Sequence, residues 1–496
     1  MDQGTDFNKA LRLLQTTFGM IDISGRIFYL NNDNVAEVLT GNGNPQTTRL
    51  KFYQHKDIKI QQERMLEASD LALHPSDFKE LQTTWLRSPA TKHYRGTDFH
   101  PTLSDPEILN IWRGPIKGAE GNCDFLNQFL LSVICDGSEE KYDYLVKLLA
   151  HAVQKPEEKP GVMTVLCGNQ GTGKGSFFKL LRSIWPYTTL LVQDVREVVG
   201  TYTGGLEGAF IVTMDEAVFN KDKKSANHLK TKISEDTMRI EEKYQPSRTV
   251  SSFHRFFAAT NEHHWAPTDS GDRRMFVLQV SDKYKQDTKC FATFNQVLND
   301  GVTVPAFVHK LANIDLSGFQ VRHRPKTSEH ARQVLESLPE FTKFMIDVLA
   351  KKNFSFSGTS LSDDWTGPMF IPTKDIKQEF IEYHPNSTRH GGITDKQIMS
   401  DLRRLIPSIR SKRADSGVGE EGQRIQARGV YLPDSEVART EILQSLEIDE
   451  WIIDWEEPEL IRTGLIQYNG TSVTSGTEPN RAASGHVPWD GVAHTY

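Results

Sequence analysis

Lys174 lies in the stretch LCGNQGTGKGSFFKLL (166–181), behind glycines 168, 171 and 173 and an apolar run, VMTVLC (162–167). That order suits phosphate binding. Glycine lets backbone N–H groups turn onto phosphate oxygens, and the positive end of the following helix faces the same charge. The lysine ammonium reaches the β- and γ-phosphates. Gly168, Asn169, Gln170, Gly171, Thr172, Gly173, Lys174, Gly175 and Ser176 are therefore the candidate nucleotide-binding residues. One position departs from the usual pattern. Gly175 stands where Ser or Thr would hold Mg2+. Ser176, about 100° further round the helix, either supplies the hydroxyl or leaves the metal to water and a distant carboxylate. The loop taken alone indicates a nucleotide and no particular reaction.

Three later motifs carry complementary chemistry. AFIVTMDEA (209–217) ends a buried strand in Asp215-Glu216; one carboxylate can hold Mg2+ and its neighbour can orient an attacking water. RFFAATNEHH (255–264) places Asn261 at a second strand end, where an amide can hydrogen-bond the γ-phosphate or the water. DSGDRRMFVLQV (269–280) brings Arg273 and Arg274 into a third strand, and arginine stabilises the charge that develops in phosphoryl transfer. Each motif is common by chance. The order loop, DE, TN, RR within one stretch of alternating strands and helices is specific to an ATPase core.

Stepping outward, residues 161–315 alternate strands and helices, the pattern of an α/β unit with a mostly parallel sheet. Before it, CDFLNQFLLSVI and KYDYLVKLLAHAV predict two amphipathic helices, a packing or assembly element within 111–160. PEEKP (156–160) reads as a charged linker. Residues 1–110 alternate strand-like runs (RIFYL, RLKFY) with polar stretches and carry no motif. Residues 331–434 predict a smaller α+β unit. Its helix ITDKQIMSDLRRLIP has Thr394 as N-cap, and the loop RADSGVGEEGQ and strand RIQARGVYLP follow, the layout of a winged helix. Residues 371–431 hold eleven Lys+Arg against eight Asp+Glu. Arg403, Arg404, Arg410, Lys412, Arg413, Arg424 and Arg428 cluster on that helix and wing. The tail, 435–496, is first acidic and then of disordered composition.

Composition sets outer bounds. The chain has 496 residues, 37% hydrophobic and 25% charged, with net charge −7, ordinary for a water-soluble protein of several domains. The net negative charge does not exclude DNA, because a channel needs only local basic elements. Four cysteines without CxxC pairing predict neither zinc nor a disulfide framework. No stretch is long enough to span a membrane, so the expected location is a cytoplasm, without a membrane partner.

With WRG (112–114), AHAVQKP (150–156), GTGKG, DE, LKTKIS, IEEK, TN and DRR in place, residues 95–315 resemble superfamily 3 helicases. These are AAA+ ATPases, and the likeness is to the helicase part of phage primase-helicases. In that branch a glycine after the loop lysine is usual, which makes the loop a variant. The resemblance implies an AAA+ P-loop ATPase core behind a helical collar, with the winged-helix-like unit C-terminal. It implies ATP and Mg2+ as cofactors, a hexameric ring, and 3′–5′ movement on single-stranded and forked DNA. Within it Lys174, Asp215, Glu216 and Asn261 are catalytic, and Ser176 and Asp215 are candidate Mg2+ ligands. Lys230 reaches the neighbouring subunit's nucleotide, and Arg273 and Arg274 both fit the finger supplied in trans. Lys243 and Tyr244 sit at a hairpin tip gripping DNA. The winged unit would contact duplex DNA or a replication partner. No primase-like carboxylate cluster is evident upstream, so a primase or polymerase would act from another chain. Two rivals remain: a replication initiator whose ATPase only controls assembly, and a monomeric nucleotide kinase.

Overall fold

Strands buried on both faces read as unbroken apolar runs, and three such runs build the central sheet of this computed structural model. The described residues are 3–23, 25–40, 50–200, 203–216, 223–241, 248–262, 272–354, 365–385, 393–418, 424–448, 450–453 and 455. From edge to edge the sheet runs Met275–Gln279, Met163–Cys167, Arg255–Thr260, Ile211–Met214 and Thr189–Val192. Met163–Cys167 (the loop strand), Ile211–Met214 and Arg255–Thr260 are buried at every position. Arg255–Thr260 pairs in parallel with the strands on either side, and Ile211–Met214 with Thr189–Val192. This is a mixed α/β fold around a parallel five-stranded sheet.

The helix Lys174–Ile184 buries Phe177, Leu180, Leu181 and Ile184, the spacing that marked it in the sequence, and the Phe177 ring meets Phe257 edge-on at 5.8 Å. Upstream, the first expected amphipathic helix is shorter than its pattern. It runs Asp124–Phe129 and opens into a wide π-turn at Leu130–Ile134. Glu139–Gln154 follows as a regular helix, N-capped by the Ser138 side chain.

Two expectations need correction. PEEKP is not a free linker: Arg255 donates to the Lys155, Pro156 and Glu158 carbonyls at 3.0, 2.9 and 2.6 Å. Residues 1–110 hold more helix than their strand-like runs suggested, with Gln3–Thr17, His55–Glu67 and Asp77–Arg87 packed beside the three-stranded sheet of Arg26–Asn31, Phe18–Ile23 and His93–Tyr94. RLKFY supplies only a bridge from Tyr53 to Tyr29. The signal for helix was the recurrence of Ile58, Gln62 and Leu66 on one buried face.

The described residues fall into two compact units, one drawn from 3–216, 227–261 and 278–325, the other from 223–226, 262, 272–277 and 326–455. In the second, Phe344, Met345, Trp365, Ile398, Leu402 and Val430 belong to one buried cluster. Helix Asp395–Leu405 starts with a full capping box between Thr394 and Gln397. Here too the sequence misled in places. RADSGVGEEGQ is strand as far as Val418, because Arg410–Val418 forms a long ribbon with Arg424–Leu432 and absorbs Asp415 and Gly417 at a bulge between them; 419–423 lie outside the described residues. Ser435–Leu446, read as acidic tail, is a helix capped by Asp434 that buries Ala438 and Ile442. Residues 456–496 lie outside the described residues, and no described helix is long and apolar enough to cross a membrane.

Candidate nucleotide-binding site

The loop between Cys167 and Lys174 is shaped by glycine where the backbone requires it. Gly171 and Gly173 take φ of 79° and 110°, and a Cβ on Gly173 would lie 3.1 Å from a Phe291 ring carbon and 3.2 Å from Val133 Cγ1. The π-turn that interrupts the upstream helix thus delivers the side chain that closes on the loop. Neighbours fix the loop as well. Gly168 N donates to Thr260 O (3.3 Å) and Gln286 N to Gly171 O (3.0 Å), while Asn169 donates to Asp282 at 2.7 Å and Thr172 to Asn169 O at 2.9 Å. Gly175 is different: a Cβ there meets nothing within 4 Å. Its glycine is not forced by space, and the missing hydroxyl is a chemical choice.

Lys174 is buried, and its ammonium spends all three hydrogens: Gly168 O at 2.7 Å, Asn169 O at 2.8 Å and Asn261 Oδ1 at 2.7 Å. Burial lowers its pKa, opposed first by the Asp215 carboxylate. The loop and the end of the Arg255–Thr260 strand therefore share one cation. Asp215 and Glu216 are exposed at the end of the adjacent strand. Glu216 adopts φ 51°, a left-handed conformation costly for a residue with a Cβ, and its N–H donates to Asp215 Oδ1 at 3.1 Å.

These groups share a cavity of about 780 Å³. Gln170, Gly171, Gly173, Lys174, Gly175, Ser176, Asp215, Glu216 and Asn261 all line it. The opposite wall was not read from the sequence: Gln286, Thr288, Phe291, Ala292 and Asn295, chiefly on helix Thr288–Asn299. The donor set fits a nucleotide triphosphate and its metal. Loop N–H groups and Lys174 suit phosphates, and the Ser176 hydroxyl and Asp215 carboxylate are oxygen ligands of the kind Mg2+ takes.

Lys230, half-buried on helix Lys223–Ser234, is not among the cavity's lining residues. Arg273 is exposed; Arg274 is half-buried, with its N–H on Asp272 Oδ1 at 3.0 Å and its guanidinium 3.9 Å from that buried carboxylate. Lys243 and Tyr244 lie outside the described residues, between the antiparallel strands Thr237–Ile240 and Arg248–Ser251.

The root of that hairpin holds a polar chain the sequence did not disclose. Lys159 donates to Ser252 Oγ (2.6 Å) and to Lys232 O (2.7 Å). Ser252 meets His254 Nδ1 at 2.9 Å, and His254 Nε2 meets Leu206 O at 2.8 Å. A carbonyl only accepts, so Nε2 carries the proton, Nδ1 accepts from Ser252, and Ser252 accepts from Lys159. Burial drives the His254 pKa down to about 3, that of Lys159 to about 7 and that of Arg255 to about 9. From Arg255 the chain runs up the strand that ends beside Asn261.

Residues 166–274 match a family of unknown function, DUF5906. The DNA primase-polymerase of Nitratiruptor phage NrS-1 is 24% identical over 205 residues, 40% of this chain and 28% of that protein. The matched region thus spans little more than a quarter of the curated relative. Among solved structures, an apo structure of the NrS-1 C-terminal region covers 86% of this chain and 99% of its own, with TM-score 0.59 and 17% identity. An A-form apo structure of the same region covers 85% and 97%, with TM-score 0.59 and 16% identity. This chain is related to a phage primase-polymerase and shares the fold of that protein's C-terminal region.

Proposed function

We propose that the chain is an ATP-dependent DNA helicase of the superfamily 3, AAA+ type, acting in replication of a phage or mobile element in a bacterial cytoplasm. The observation that carries this reading is the shared cation. Lys174 joins the phosphate loop to Asn261, and Asp215 and Glu216 open into the same cavity. Lys174 and the loop amides would bind phosphates. Ser176 and Asp215 would hold Mg2+, which when bound neutralises phosphate charge. Glu216 would orient the attacking water, and Asn261 would report the γ-phosphate to its strand. Arg273 or Arg274 from the next subunit would complete the site, with Lys230 reaching across the same interface.

The domain roles belong to the same proposal: a collar at 111–160, the ATPase core at 161–315, and a winged-helix-like unit after it. The ring is hexameric, moves 3′–5′, and grips single-stranded DNA through Lys243 and Tyr244, with a primase or polymerase as a candidate partner.

One set of measurements tests the reading: ATPase with and without single-stranded DNA, and fork unwinding, on wild type, Glu216→Gln and the Lys243→Ala/Tyr244→Ala double variant. Glu216→Gln should bind ATP without turnover. The double variant should keep basal ATPase and lose both stimulation and unwinding. A wild-type protein that hydrolyses ATP indifferently to DNA and separates no strands would remove the helicase assignment.

A further inference from the structure

Lys174, Asp215 and Glu216 suit the charged half of a nucleotide, and the opposite wall of the cavity is uncharged. Thr288, Phe291, Ala292 and Asn295 fall at i, i+3, i+4 and i+7, so one face of helix Thr288–Asn299 looks into the cavity. At its far end Lys179 donates to Asn295 Oδ1 at 3.3 Å, and Asn295 Nδ2 donates to Phe291 O at 2.8 Å. Both ends of that amide are thus engaged within the protein. Gln286 stands at the other end, against the phosphate loop. Its N–H donates to Gly171 O at 3.0 Å, and its Cγ lies 3.2 Å from the place a Gly171 Cβ would take. It is exposed, yet it holds φ at 59°. Left-handed backbone is costly for a residue with a Cβ and collects at ligand clamps; Glu216, across the cavity, shares it. Glycine would meet the backbone demand at 286 more cheaply, so the side chain is what the position supplies.

We propose that this wall is the nucleoside subsite, in which Gln286 hydrogen-bonds the sugar hydroxyls while Phe291 and Ala292 hold the base by its face without distinguishing one base from another. The inference rests on the nucleotide-binding reading of the cavity given above. Covalent order sets the arrangement: with phosphates on the loop and Lys174, the sugar comes next, and Gln286 is the polar group of the wall that touches the loop. An aromatic ring and a methyl group suit the planar face that every base presents. Discrimination between bases needs a polar group left over for the base edge, and the Asn295 amide is already committed. The backbone cost at Gln286 is carried in the free protein, so the amide stands ready beside the loop before the ligand arrives.

Titration calorimetry on the full chain with Mg2+ provides the test, using nucleoside diphosphates so that no ligand is hydrolysed. Wild type should bind ADP about five- to tenfold more tightly than 2′,3′-dideoxy-ADP, the worth of one hydrogen bond. GDP should bind within about threefold of ADP, because stacking tolerates any base. Gln286→Gly should weaken ADP by the same five- to tenfold, leave 2′,3′-dideoxy-ADP unchanged, and so erase the ratio. Glycine accepts the left-handed backbone freely, so the unfolding midpoint of the free variant should not fall. Inorganic tripolyphosphate has no sugar and should bind both proteins alike. A ratio near one in wild type, or an unchanged ratio in Gln286→Gly, would overturn the sugar contact. So would a loss shared by tripolyphosphate or a lowered midpoint, either of which would mark damage to the loop. A preference of ADP over GDP beyond about thirtyfold would refute the base-tolerant wall. Absence of binding by any nucleotide would remove the nucleotide reading and this inference together, whereas tight binding without the expected ratios removes this inference alone.

Discussion

Asn261→Asp should make the free protein more stable and a worse ATP binder. The amide oxygen accepts from the Lys174 ammonium at 2.7 Å. A carboxylate there would turn a singly charged hydrogen bond into an ion pair. At an effective dielectric constant near 20 a pair about 4 Å apart is worth roughly 4 kcal/mol, but exposed pairs measure about 0.2–1 kcal/mol. Lys174 is buried and Asn261 exposed, which places the gain near the exposed end, at about 1 kcal/mol, or about 2–4 °C in Tm. Nucleotide binding moves the other way. The γ-phosphate must draw Lys174 from a charged partner and meet that partner's repulsion. Losing one charge-assisted hydrogen bond, about 2 kcal/mol, raises Kd roughly 30-fold. ADP, which lacks the γ-phosphate, should lose less. Thermal denaturation without nucleotide and titration calorimetry with ATP and ADP provide the readouts. An unchanged ATP affinity, or equal losses for ATP and ADP, would refute the idea that Asn261 and the γ-phosphate compete for Lys174.

The loop glycines should differ sharply. Gly173→Ala must hold φ 110° with its Cβ against Phe291 and Val133, costing about 1–3 kcal/mol in denaturant unfolding, while Gly175→Ser should stay within about 1 kcal/mol of wild type. His254 should impose an acid dependence. Its folded pKa of about 3 lies below the ordinary value of 6.5, so the unfolded chain binds the extra proton between those values. Relative to His254→Gln, wild-type stability should fall by up to about 1.4 kcal/mol per unit as pH drops from 6.5 towards 3, and hold steady above 7. Mixing inactive Lys174→Ala with inactive Arg274→Ala should recover some ATPase if Arg274 acts between subunits. No recovery at any ratio, with rings present, would assign it to its own subunit or to the Asp272 pairing.

The nucleotide loop, Asp215-Glu216 and Asn261 were legible because each follows a short apolar run, so sequence order alone put them at strand ends that the sheet then aligned. The Phe291 wall was not. Its helix is amphipathic like many others, and only the closing of the sheet turns Phe291 towards Gly173. Lys159, His254 and Arg255 were not legible for a different reason. Charge in a sequence signals surface, yet His254 and Arg255 are buried and Lys159 half-buried, because carbonyls and a hydroxyl receive their hydrogens. In the second unit, Gly and Asp between 413 and 423 signalled a loop, and a bulge lets the strand pass through Asp415 and Gly417 as far as Val418.

The position of the loop strand in its sheet has a consequence for how the chain acquires its shape. Met163–Cys167 lies between Arg255–Thr260 and Met275–Gln279, both later in the sequence. During synthesis, at about 5–20 residues per second, the most apolar segment around the loop emerges with neither neighbour yet made. Closing such distant pairings costs chain entropy before any contact rewards it. Chains interrupted before Arg255 should therefore display two open strand edges and recruit chaperones or aggregate, whereas release beyond Gln279 allows the sheet to close in one cooperative step.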